Sequence, residues 1–364
     1  MLNYKLLTPG PLTTTSAVKE QMLEDHCTWD EDYKKITRSI CAKLLEIAHV
    51  SEPEYTSVLI QGSGTFGVES VITSVVGKKD VLLIASNGAY GERMADIAMH
   101  AGIDYILYSE EYNKMPSSSR IKEILNDNPQ ITHVSMVHSE TTSGILNDIK
   151  PVADVVKSAG KTFIVDAMSS FGGVDINVGE LGIDFIISSA NKCIQGVPGF
   201  SFIICRTDKL EESKGKARSL SLDLYDQWNT MHKDGKWRFT SPTHVVLAFW
   251  KALEELDEEG GVGARYERYK NNNRYLIEHM AEMGFSTYID KSIQGPIITT
   301  FYYPENIKCD FDEMYNYIKE RGYAIYPGKL TNAETFRIGN IGEIYQEDME
   351  KLCNIFKSYL EEKR

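Results

Sequence analysis

Seven short runs of branched and aromatic residues recur along the first 205 residues of the chain: TSVLI (56–60), VLLIA (81–85), YILY (105–108), ITHVSMV (131–137), TFIVD (162–166), DFIIS (184–188) and FSFIIC (200–205). Segments with helical spacing lie between most of them, among them VESVITSVV (68–76), ERMADIAMHAG (92–102) and IKPVADVVKSAG (149–160). Strands that are apolar along their whole length are buried on both faces, and helices between them supply the cover. The pattern therefore predicts an α/β fold built on a mainly parallel, seven-stranded sheet. Such a sheet gathers its ligands at the carboxyl ends of its strands.

The pattern changes near Glu258-Glu259-Gly260-Gly261. A long helical stretch at 262–284 ends at Gly284, followed by ITTFYYP (298–304), the helical DEMYNYIKERG (312–322), YAIYPG (323–328), TFRIG (335–339) and a last helix near 347–362. A large domain at 15–260 and a smaller α+β domain made of 1–14 and 261–364 are expected. The 364 residues, 42% hydrophobic and 25% charged, are enough for both. No segment approaches the roughly 18 apolar residues that span a bilayer, and the N-terminus lacks a secretory pattern, so a cytoplasmic protein is expected. Six scattered cysteines form no C-x-x-C pair, which suggests neither a disulfide framework nor a bound metal. A net charge of −13 disfavours nucleic acid or an anionic membrane as partner.

The stretch QGSGTFGVES (61–70) spells G-x-G-x-x-G at Gly62, Gly64 and Gly67, between a strand and a helix. A dinucleotide fold also needs an acid at the carboxyl end of the next strand, about 20 positions on. That end reads Ser86-Asn87-Gly88, and Asp80 lies at the wrong end of the strand. What survives is a glycine-rich turn at a helix N-terminus, where free N–H groups and the hydroxyls of Ser63 and Thr65 suit one phosphate. Gly67 is then left as a packing residue.

Four further strand ends carry polar residues, each with an ordinary explanation when read alone. Tyr90 in Asn87–Gly91 reads as a turn tyrosine, and His138–Gly144 as a solvated, hydroxyl-rich loop. Asp166 reads as a brace for a turn, and Lys192 as a surface charge. Together they supply a phosphate cradle, an aromatic plate, an acid and a lysine at one sheet edge. Pyridoxal phosphate needs that set: a lysine for a Schiff base, an acid for the pyridine nitrogen, a stacking ring and an anion site. The set favours pyridoxal phosphate over NAD.

The phrases LLTPGPLTT (6–14), CTWDEDY (27–33), QGSGT (61–65), SNGAYGER (86–93), MVHSETTSG (136–144), VDAMSSFGG (165–173), ISSANKCIQGVPGF (187–200), RSLSLDLYDQW (218–228), GKWRFTSPTH (235–244), YPGK (326–329) and FRIGNIGE (336–343) run nearly end to end. Through them the chain resembles the class V aminotransferases, pyridoxal-phosphate enzymes of fold-type I. The resemblance implies Lys192 as the residue bonded to the cofactor and the proton shuttle, and Asp166 as partner of the pyridinium. It implies Tyr90 stacking on the ring, Ser63, Gly64 and Thr65 on the phosphate, Thr141 near the ring hydroxyl, and Thr240 reaching in from the other subunit of a homodimer. It also places Arg337 on the substrate anion and Gly10, in the Thr8–Pro11 turn, beside the substrate pocket. Asn191 has no assured role.

The longer phrases imply transfer of the amino group of 2-aminoethylphosphonate to pyruvate, giving phosphonoacetaldehyde and L-alanine in a ping-pong reaction. One anion site would serve both substrates in turn, because a guanidinium pairs with carboxylate and phosphonate alike. The alternatives are an alanine–glyoxylate or serine–pyruvate aminotransferase of the same fold. A desulfurase would need a cysteine in a mobile loop, and none of the six stands in such a loop.

Overall fold

The computed structural model describes residues 4–330 and 333–363. All seven apolar runs are strands: β1 (Tyr55–Gln61), β2 (Val81–Ser86), β3 (Asp104–Ser109), β4 (Ile131–Val137), β5 (Thr162–Asp166), β6 (Phe185–Ser189) and β7 (Phe200–Arg206). They form one sheet in the order β1-β7-β6-β5-β4-β2-β3. Every pairing from β6 to β3 is parallel, and β7 alone runs antiparallel to both of its neighbours. The five inner strands are buried nearly throughout, as continuous apolar runs require, whereas edge strand β3 alternates between exposed and half-buried positions.

The reversal of β7 decides where the site can form. Its amino end lies at the edge where the parallel strands have their carboxyl ends, with Phe200 opposite Gln61 at the end of β1. The loop entering β7, residues 190–199, is therefore held beside the glycine turn that leaves β1. The Gly62 N–H donates to the Gly199 carbonyl at 2.9 Å and joins the two loops.

Helices cover the sheet as the spacing predicts, including α1 (Glu31–Ile47), α2 (Gly64–Val75) and α3 (Ala89–His100). Their buried faces join the strands in one large apolar cluster that reaches into α4 (Thr243–Glu259). Gly260, with φ of 106°, takes the left-handed conformation that glycine adopts without strain, and there the chain turns from α4 into α5 (Gly261–Glu282).

Beyond α5 lies an antiparallel sheet of β8 (Ser286–Thr287), β9 (Ile298–Tyr302), β10 (Tyr326–Pro327) and β11 (Thr335–Gly339), in the order β8-β9-β11-β10. The stretch YAIYPG divides between two partners. Tyr326–Pro327 pairs with β11, while Tyr323–Ala324 runs parallel to Lys5–Leu6 from the N-terminus. This part has its own apolar cluster, in which Phe336 packs against Phe285, Phe301 and Phe356 and Leu7 joins from the N-terminal segment. The smaller domain expected from the sequence includes residues 1–3, 331, 332 and 364, which lie outside the described residues.

One sequence expectation is overturned. The segment 138–144 is no solvated loop: every residue in it is buried, and Ser139–Glu140 pairs with Ile145–Leu146 as a short hairpin. Its histidine and glutamate find partners inside the protein, whereas the buried Thr141 and Ser143 hydroxyls have none. His138 Nδ1 lies 2.9 Å from the Ser170 hydroxyl, and the Glu140 carboxylate accepts from the Thr142 and Tyr90 N–H groups. The six cysteines are all free. Among the described residues no helix is long and apolar enough to cross a membrane, and no group of His, Cys, Asp and Glu could hold a metal ion.

Candidate active site

The glycine turn ends β1 and starts α2. Ser63 is the residue before the helix, and its hydroxyl does not cap it. The first N–H groups of α2 have no carbonyl one turn back, so the turn offers donors to an anion from outside. Close packing fixes the glycines: a Cβ on Gly64 would fall 2.3 Å from Met168 Sδ, and one on Gly67 2.6 Å from Ser201 Oγ. The dinucleotide reading finds no acid here. Asp80 accepts from the Gly77 N–H at 2.8 Å in its own turn, and Ser86 stands at the carboxyl end of β2.

A cavity of about 250 Å³ opens over this turn, lined by Ser63, Gly64, Thr65, Tyr90, Asp166 and Lys192, with Pro11, Val68, Arg93, Met168, Ser189, Asn191 and Pro198. Asp166, the last residue of β5, is buried, and its Oδ1 accepts from the Met168 N–H at 2.8 Å. Burial pushes its carboxyl up to about 6, against the pull of that N–H and of the Lys192 charge. It forms no ion pair among the described residues, so a buried carboxylate here lacks a cation.

Lys192 stands in the loop between β6 and β7. Burial brings its amine down to about 8, with Asp166 acting the other way and Arg337 and Arg93 in the same direction. Its Nζ donates to the Pro9 carbonyl at 2.6 Å, which places the N-terminal turn against the lysine. Gly10, with φ of 116°, has no room for a side chain: a Cβ would lie 2.7 Å from Lys192 Cδ. The loop itself is braced from α5. Arg265 Nη1 donates to the carbonyl of Cys193 at 2.8 Å, and Gln195 Nε2 donates to the Tyr269 hydroxyl at 2.6 Å.

Arg337, on β11, is buried; its Nη1 donates to the Thr141 carbonyl at 2.9 Å and its Nε to the Pro327 carbonyl at 3.0 Å. Thr141 does not line the cavity, and its buried hydroxyl has no partner. Thr240 is exposed and stands outside the cavity of its own chain. Asn191 lines the cavity and accepts from Ser189 Oγ at 3.1 Å.

Sequence reasoning passed over Arg93 and Lys329. Arg93 lies one helical turn beyond Tyr90 on α3, its guanidinium 4.9 Å from the ring centroid, and Lys329 Nζ stands 4.2 Å from the same centroid. The three-residue spacing from Tyr90 was the available signal for Arg93. Lys329 stands in no spacing with Tyr90 and comes in from the segment after β10.

The residues present fit pyridoxal phosphate. The buried carboxyl of Asp166 suits the ring nitrogen, the helix turn suits the phosphate, and Lys192 is an amine of reduced basicity. The chain matches the family model for aminotransferase class-V over residues 29–339. It is 58% identical over 360 residues to a 2-aminoethylphosphonate–pyruvate transaminase from Lysinibacillus sphaericus, an alignment covering 99% of this chain and 98% of the relative. A protein of the same name from Bacteroides fragilis is 57% identical, with 98% of this chain and 99% of the relative covered. The crystal structure of ureidoglycine–glyoxylate aminotransferase from Bacillus subtilis superposes with a TM-score of 0.90 at 22% identity, covering 99% of this chain and 93% of that one. Fold, family match and near-full-length identity agree: the chain belongs to the class-V aminotransferases.

Proposed function

We propose that the protein is a pyridoxal-phosphate enzyme that moves the amino group of 2-aminoethylphosphonate to pyruvate, forming phosphonoacetaldehyde and L-alanine. The observation that carries this reading is Arg337: a buried guanidinium with no carboxylate at ion-pair distance among the described residues, in relatives' company whose names specify this substrate pair. A buried cation without a counter-ion is costly unless an anion arrives. The donor has a phosphonate and no carboxylate, so one anion site can serve it and then pyruvate, and the two substrates use the site in turn.

Bound pyridoxal phosphate supplies an electron-withdrawing ring that acidifies the C–H bond beside the substrate nitrogen. Ser63, Gly64 and Thr65 would hold its phosphate, Tyr90 would pack on the ring, Thr141 would offer a hydroxyl to it, and the Asp166 carboxylate would keep a proton on the ring nitrogen. Lys192 Nζ would take the proton from the substrate carbon that bears the nitrogen and would hand it on across that nitrogen. Lowering the amine from 10.5 to about 8 raises its neutral fraction near pH 7 by about 300-fold, and the neutral form is the one that transfer requires. Gly10 leaves room for the lysine to move between these positions.

The working unit in this reading is a cytoplasmic homodimer, in which Thr240 completes the phosphate site of its neighbour; its exposure away from its own cavity supports that arrangement. An amino-donor screen with pyruvate as acceptor, following L-alanine, tests the proposal. Activity with 2-aminoethylphosphonate that disappears in Lys192→Ala is expected, with borohydride fixing a yellow cofactor to Lys192. Inactivity with that donor while serine or glycine reacts would overturn it.

A further inference from the structure

The fold handles its buried arginines in two ways. Arg265 and Arg268 both pair with Glu259, each at 2.8 Å. Arg93, Lys329 and Arg337, by contrast, form no ion pair among the described residues, although all three stand around Tyr90. Lys329 feels the positive charges of Arg93 and Arg337, and burial with those charges lowers its basicity. Of the two carboxylates that act on Lys329, Glu140 accepts from the Tyr90 and Thr142 N–H groups at 3.3 and 3.0 Å, and Glu92 accepts from the Tyr112 hydroxyl at 2.7 Å. Of the three, Arg93 lines the cavity together with Tyr90; like charges gathered about one ring repel one another, and a bound anion of matching charge relieves the repulsion.

A carboxylate carries one negative charge, and the two donors of Arg337 suffice for it. A phosphonate carries up to two and has a third oxygen. We propose that Arg93 and Lys329 are specificity-determining residues that recognise the second negative charge of a phosphonate whose first is held by Arg337. The inference rests on the donor reading above, and it makes donor binding, but not pyruvate binding, depend on this pair. Arg93 Nη1 also lies 3.4 Å from Thr65 Oγ1, so the cofactor phosphate is a second source of the same chemistry at that residue.

Holoenzyme and the Arg93→Gln and Lys329→Gln variants are titrated calorimetrically at about pH 9, where an alkylphosphonate, a weaker acid than a phosphate ester, is largely dianionic. The probes are ethylphosphonate, ethanesulfonate and propionate, which share a two-carbon chain and differ in charge and shape. Pyridoxal phosphate affinity of each apoprotein and kcat/KM for 2-aminoethylphosphonate and for pyruvate are measured in parallel. The proposal expects ethylphosphonate binding and donor kcat/KM to fall by about tenfold or more in each variant, with ethanesulfonate, propionate and pyruvate changed by less than about threefold. Equal losses for all probes, no loss for ethylphosphonate, or weakened cofactor affinity with ethylphosphonate unchanged would each overturn it. Because the probes do not react, wild-type preference for ethylphosphonate is read whether or not the amino transfer occurs, so failure of the functional reading and failure of this inference give different results.

Discussion

Asp166 gives the site a stability signature that does not depend on turnover. In the protein without cofactor its carboxyl is buried and unpaired, with a pKa of about 6 against an ordinary 3.8. A folded-state value above the unfolded one means that the folded protein binds this proton more tightly, so stability is lost as pH rises through the folded value. The penalty is absent below about pH 4, opens between about 4 and 6, and is complete above about 6. Two pKa units correspond to about 3 kcal/mol. Asp166→Asn removes the charge and keeps an oxygen for the Met168 N–H, so the apo variant is expected to be the more stable of the two at pH 8. For a chain of this length the difference amounts to about 4 °C in melting temperature. Saturating pyridoxal phosphate should reverse the order if Asp166 pairs with the ring nitrogen as proposed, because the variant lacks that charge. Thermal melts of both apoproteins between about pH 4 and 8 read the effect. An apo variant less stable than wild type at the upper end, or a difference constant over that range, would refute the reasoning.

Arg337→Lys keeps a charge but loses the paired donors, and KM for both 2-aminoethylphosphonate and pyruvate should rise by about 10- to 100-fold; steady-state kinetics with unchanged values would remove Arg337 from the site. Gly10→Ala forces a methyl to 2.7 Å from Lys192 Cδ at a φ of 116°, so cofactor absorbance and turnover should fall together while circular dichroism stays native. Borohydride-trapped labelling of Lys192 in apoprotein given pyridoxal phosphate should rise with pH through a midpoint near 8, set by burial of the amine. A midpoint close to the ordinary 10.5 would show that burial does not set its protonation.

The large sheet was legible because each strand is a closed apolar run, and the observed limits of ITHVSMV and TFIVD match the text residue for residue. Lys192 and Asp166 were legible because parallel strands end at one edge. The burial of 138–144 was hidden: Ser139, Glu140, Thr141 and Thr142 look like a wet loop until the hairpin they form and the bonds to the Glu140 carboxylate are known. Contacts between distant segments were equally hidden. Nothing in Thr8-Pro9-Gly10-Pro11 announces that the Pro9 carbonyl meets Lys192 Nζ, and nothing in α5 announces that Arg265 holds the lysine loop. Arg93 and Lys329 stand far apart in the sequence, and only the aromatic ring they share in the fold makes them a group.

The reversed strand β7 also bears on how the protein comes to be folded. Its pairing with β1 joins segments about 140 residues apart in sequence, and closing so long a loop is slow because its entropy is lost before the contacts repay it. Until that ladder zips, the Gly62–Gly199 bond is absent and the phosphate turn and the lysine loop are separate pieces of chain. The pocket thus forms only when the most sequence-distant pairing of the large sheet is made, and appearance of the yellow cofactor during refolding reports that closure rather than the earlier growth of helices.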